Sequence, residues 1–126
     1  MIISTWRDAV ALIAPIFAEA PPEARILAIA HLDDGRRLID LVVIPPQELE
    51  REEVPVRRIV EDALRLGATG LVLAHSQPGG DAQPSWDDIN VTRELAETAL
   101  RLGIRLHDHI IFAGDDVTSF RAMGLL

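Results

Sequence analysis

Cysteine is absent from the 126 residues, which excludes disulfides, thiolate zinc sites, iron–sulfur clusters and a cysteine nucleophile together. Tyrosine is absent as well, and all 12 basic residues are arginine. Without lysine there is no Schiff base and no phosphate-loop lysine. No apolar run approaches the ~20 residues that a membrane-spanning helix needs. The opening segment Met1–Asp8 lacks a basic stretch of the kind that begins a secretory leader, so the expected compartment is the cytoplasm. The net charge is -8, and such a field repels phosphate backbones. Nucleic acid is therefore not an expected partner. Two arginine pairs, Arg36/Arg37 and Arg57/Arg58, read as solvated surface.

The chain has a length that suits one domain over residues 1–126. Trp6, Val10, Ile13 and Phe17 recur at helical spacing after a capping Ser4 or Thr5, with Pro15 expected to end or kink that helix. Arg25–Leu32 and Arg37–Ile44 read as strands around an Asp33-Asp34-Gly35-Arg36 turn, a strong hairpin signal. The second of these looks continuous enough to be buried on both faces. Gln47–Glu53 reads as a loop or a ragged helical turn. Pro55 opens a helix with an apolar stripe from Val56 to Leu66, ended by Gly67. Thr69–Ala74 is a short buried strand leading into a loop from His75. Ser85 opens a further helix that Gly103 stops, and strands follow at Ile104–Phe112 and Val117–Phe120. The order helix, strand, strand, helix, strand, helix, strand, strand predicts an α/β domain with a mixed sheet flanked by helices.

A histidine at the end of a buried strand faces the edge of the sheet where α/β proteins place their sites. His75 holds that position, and Ser85 and Asp88 follow at a helix start. Imidazole and carboxylate are suitable zinc ligands, and an open coordination position would hold an acidified water. The bland reading stands beside this one. Ser85 and Asp88 make an S-x-x-D capping box. His75 also suits a hydrogen-bonded loop histidine. His31, His107, Asp108 and His109 read as structural, Gly79-Gly80 as loop glycines, and Trp86 as packing across the loop or presenting a partner contact.

The segment from Leu71 to Leu126 resembles the C-terminal half of a RadC-type JAB/MPN domain. The resemblance is carried by Ile104-Arg105-Leu106-His107-Asp108-His109-Ile110-Ile111 and by Ser119-Phe120-Arg121-Ala122-Met123-Gly124-Leu125. It implies a JAB/MPN-like, cytidine-deaminase-like fold. It also implies a JAMM metal motif: an upstream Glu as general base, then H-x-H, a Ser that polarises the substrate carbonyl, and an Asp, with the two His and the Asp on zinc. His75, Ser85 and Asp88 match that pattern, whereas Gln77 stands where the second His belongs. The upstream Glu is expected on or after the second hairpin strand, where Asp40 is the acid present; Glu48 and Glu50 lie further on.

Gln offers zinc only a neutral amide oxygen, and a catalytic zinc usually has three sound protein ligands. The expected function is thus a JAB/MPN module with a degenerate zinc site, inactive in hydrolysis and acting through a protein partner or a second copy of itself. The alternative is a zinc metallopeptidase or isopeptidase in which Gln77 and Asp40, or a loop Glu, stand in. A DNA-repair-associated role is the third. It is disfavoured by the acidic charge and by the lack, in these residues, of the helical extension usual in RadC proteins.

Overall fold

The computed structural model of the protein describes residues 1–49 and 54–126. The elements are α1 (Trp6–Ala18), β1 (Leu27–Leu32), β2 (Leu38–Ile44), a short 3-10 turn (Pro46–Glu48), α2 (Val56–Leu66), β3 (Gly70–Ser76), α3 (Trp86–Arg101), β4 (Arg105–Ala113) and β5 (Asp116–Ser119). Expectations about Glu50 to Glu53 lie outside the described residues. The strands form one mixed sheet in the order β2-β1-β3-β4-β5. Only β3 and β4 run parallel, joined through α3, and the other neighbours are antiparallel.

Two apolar layers follow from the alternation of side chains along the strands. Leu27, Ile29, Leu71, Leu73 and Leu106 face α2 and α3, where they meet Ile59, Ala63, Leu95 and Ala99. Ala28, Ala30, Val72, Ala74 and Ile110 face α1, meeting Ala9 and Ile13. Each fully buried Leu or Ile contributes about 1.5–3 kcal/mol relative to exposure. The flanking helices are there because the sheet is apolar on both faces.

Two local expectations are corrected, and the expected hairpin turn shows one further detail. The strand buried on both faces is β1, not β2. β1 lies between two neighbours whereas β2 is an edge strand, half open to solvent. Helix α1 runs past Pro15 to Ala18, with Pro15 on its exposed side. In the hairpin turn it is Arg36, at φ 62°, that takes the left-handed conformation; no positive φ occurs at Gly35. Arg36 N–H donates to Asp33 O at 2.9 Å and Asp33 N–H to Arg37 O at 3.0 Å, the pattern of a turn followed by a bulge.

A second bulge positions the site. Between β3 and β4 the register steps at Leu71/Val72, so His107 is an extra residue on β4. One inserted residue reverses the facing of everything after it. Leu106 and His109 thereby share the face of α3, while Asp108 joins Ile110 on the opposite side. The imidazole of His107 sits where a side chain at position 70 would be. A Cβ on Gly70 would lie 2.6 Å from His107 Nε2, so glycine is needed there for close approach.

Candidate functional site

β3 carries His75 to the carboxyl edge of the parallel pair, on the face covered by α3. Its ring is buried and makes two hydrogen bonds. His75 Nδ1 lies 2.7 Å from His109 Nε2, and His75 Nε2 lies 3.0 Å from Gln77 Oε1. The other nitrogen of His109, Nδ1, is 2.7 Å from Thr92 Oγ1 on α3. His109 itself is stacked on Phe120, ring centroids 4.4 Å apart.

The direction of the protons along this chain follows from the amide. Gln77 Nε2 donates to the carbonyls of Asp81 at 3.1 Å and Gln83 at 3.4 Å, which turns Oε1 toward His75. An amide oxygen only accepts, so His75 Nε2 carries the hydrogen. Neutral His75 then accepts at Nδ1 from His109 Nε2–H, and His109 accepts at Nδ1 from the Thr92 hydroxyl. Both rings stay neutral. Burial is the main force lowering the pKa of His75, opposed by the Gln77 bond and reinforced by the Arg25 cation. Burial, then His75, then Arg25 hold His109 well below the ordinary histidine value.

Ser85 and Asp88 close a reciprocal capping box at the start of α3. Asp88 N–H donates to Ser85 Oγ and Ser85 N–H to Asp88 Oδ2, both at 3.0 Å. Asp88 is nonetheless buried, and its charge reaches His75. Its other oxygen, Oδ1, faces a cation: Arg25 Nη2 lies 3.8 Å away. Arg25 is held by the segment leading into β1. Ser76 Oγ donates to Ala24 O at 3.0 Å and accepts from Ile26 N–H at 2.8 Å, clamping the residues on either side of Arg25 to the end of β3. Arg25, Glu23, Pro46, Leu49 and Gln77 line a cavity of about 470 Å³ beside this cluster.

His75, Gln77, Ser85 and Asp88 thus converge at one end of the sheet. Asp40 does not. It pairs with His31 across the hairpin, whereas His75 is level with Leu27 and, beyond it, Ile44. Four residues of strand, roughly 13 Å, separate the two levels. Asp40 Oδ1 accepts from the N–H of Leu41, and its side chain is exposed. Glu48 pairs instead with Arg58 at 3.9 Å, and Glu50 lies outside the described residues. His109, read from sequence as structural, proves central to the cluster, as do Thr92 and Arg25. Arg25 carries one faint sequence signal, a charge set directly before an apolar strand. Trp86, beside Ser85, is 77% exposed and packs across nothing.

Curated relatives share this segment. A UPF0758 protein of Bordetella petrii is 42% identical over 96 residues, 76% of this chain and 43% of its own length. A UPF0758 protein of Rhodobacter capsulatus is 32% identical over 133 residues, 99% of this chain and 58% of its own. The chain spans about half the length of the curated relatives it matches. The family model described as RadC-like JAB domain matches residues 3–125, over the same mixed sheet and flanking helices, and the chain belongs to the RadC-like JAB domain family.

Proposed function

We propose that this domain is a JAB module that works without a zinc ion and acts by binding protein, either a partner or a second copy of itself. The reading rests on one observation above others: the guanidinium of Arg25 stands 3.8 Å from the free oxygen of Asp88, where a metal would have to bind. Among the described residues no three His, Asp or Glu side chains gather as a metal site. The donor set agrees poorly with zinc on its own chemistry. His75 presents an N–H, not a lone pair, toward Gln77, and Gln77 offers only its amide oxygen. A dication on Asp88 Oδ1 would sit within about 6 Å of Arg25. At an effective dielectric of about 20 that repulsion is roughly 5 kcal/mol, some four decades in affinity.

Without a metal, an acidified water has no source, and Glu23, the carboxylate that lines the adjoining cavity with Arg25 and Gln77, is not bonded to His75, whose two ring nitrogens face His109 and Gln77. Binding then remains as the use of the fold. Exposed Trp86 is of the residue type that anchors protein interfaces.

Metal titration tests this reading. Wild-type protein incubated with zinc and desalted should retain far less than one ion per chain. Arg25→Glu combined with Gln77→His should retain one. Stoichiometric zinc on the wild type, together with cleavage of an amide bond, would favour the metallopeptidase alternative and remove the proposal.

A further inference from the structure

The opposite, amino edge of the parallel pair holds a second polar centre. Arg36 from the β1–β2 turn, Arg105 and His107 from β4, and Arg121 after β5 line one cavity of about 400 Å³ with Ser4 and Thr5. These three arginines come from distant parts of the sequence, in a chain whose net charge is -8. Arg36 was expected to be solvated surface. It is instead half-buried, and its Nε is shut from solvent without a hydrogen-bond partner. Arg121 Nε donates to His107 O at 2.6 Å, which fixes its guanidinium against the cavity. None of the three makes an ion pair among the described residues.

The neighbouring carboxylates are already committed. Asp108 lines the cavity, but its Oδ2 accepts from the Ser119 hydroxyl and its Oδ1 from the N–H groups of His109 and Arg121. Asp33 accepts from Arg37 N–H, Asp34 from the Thr69 hydroxyl, and Asp8 from Ser4 and Thr5 N–H. Burial first, then Arg36, Arg121 and Arg105, lower the His107 pKa to about 4, so its ring is neutral and adds no charge at pH 7. Within the cavity lining itself three cations face the single carboxylate of Asp108, while Asp33, Asp34 and Asp8 keep their charge outside that lining. Guanidinium forks match the oxygens of a phosphate in pairs. The volume lies within the range of small-molecule pockets.

We propose that Arg36, Arg105, Arg121 and His107 form a binding site for the phosphate group of a small phosphorylated molecule, at the far end of the sheet from His75. Arg105 and Arg121 would clamp the anion from β4 and the C-terminal segment, and Arg36 would close it from the hairpin.

Calorimetric titration of the intact protein with inorganic phosphate, pyrophosphate and ATP, at low and moderate salt, tests the site. At least one should bind with a 1:1 stoichiometry. Arg105→Gln and Arg121→Gln alter exposed side chains and should keep the fold by circular dichroism. Each should weaken binding by roughly tenfold or more, the worth of one charge-assisted pair. Arg57→Gln, on α2 and paired with Glu61, should change nothing. Preference for ATP identifies an organic phosphate, and equal affinity for pyrophosphate identifies the free anion; both support the site. Absence of binding by all three overturns it, as does binding that Arg105→Gln and Arg121→Gln leave intact. Binding of short duplex DNA alone, with a steep salt dependence, also overturns it and points to nucleic-acid phosphates.

Discussion

His109 Nε2 stands 2.7 Å from His75 Nδ1, and the bond points from His109 to His75. That polarity runs from the Thr92 hydroxyl through both rings to Gln77 Oε1. Nitrogen-resolved NMR should find His75 as the Nε2–H tautomer and His109 likewise. Thr92→Val removes the donor at the head of the chain and leaves His109 Nδ1 buried without a partner. The expected loss is about 1–3 kcal/mol of unfolding free energy, read from urea denaturation. An unchanged midpoint would mean that the Thr92 bond contributes nothing.

All four histidines hold protons less firmly in the folded chain than their ordinary value of 6.5. The unfolded chain therefore binds more protons than the folded one below that value. Stability is fully present above about pH 6.5 and declines as the pH falls from there toward the lowered folded values, about 4 for His107. The buried pair His75 and His109, whose rings burial keeps neutral, should contribute to the loss as the pH falls below about 6.5. Urea midpoints below that pH should fall with acid. A flat profile would show that these rings accept protons without unfolding.

His31 is buried on β1 with both ring nitrogens lacking a partner, and its burial lowers its pKa. An unsatisfied buried polar group costs about 1–3 kcal/mol. His31→Leu is of similar volume and suits the α2 face of the sheet. It should raise the unfolding free energy by about 1 kcal/mol or more. A loss of stability would indicate a partner for the imidazole in solution.

Arg36 occupies the left-handed region at φ 62°, which costs a side-chain-bearing residue about 1 kcal/mol. Its backbone is fixed there: Arg36 O accepts from Ile3 N–H at 2.9 Å, and Ile2 bridges Arg37. Arg36→Gly should therefore stabilise the domain by about 1 kcal/mol in denaturant titrations while weakening any phosphate bound at the arginine cavity. Gain in one measurement and loss in the other is the signature of a residue retained for its side chain.

The element order, the helix caps and the mixed sheet were legible in the linear pattern. Period-two and period-3.6 repeats report burial directly, and Gly67 and Ser85 punctuate helices through local backbone chemistry alone. The spacing from His75 to Asp88 also placed four residues of one cluster, because a strand end, a loop and a helix start are consecutive in the chain. Asp40 was misplaced because register, not sequence distance, decides which strand residue lies level with His75.

The sequence by itself determined which segments become strands and helices, the absence of thiol and amine chemistry, and the replacement of a histidine by Gln77. Tertiary structure alone decided that His109 turns toward His75, that Arg25 meets Asp88, and that Arg36, Arg105 and Arg121 share one cavity. The reason is physical: one bulge at His107 sets the facing of β4. Charges far apart in the chain meet only through the packing of the sheet, which no local periodicity records.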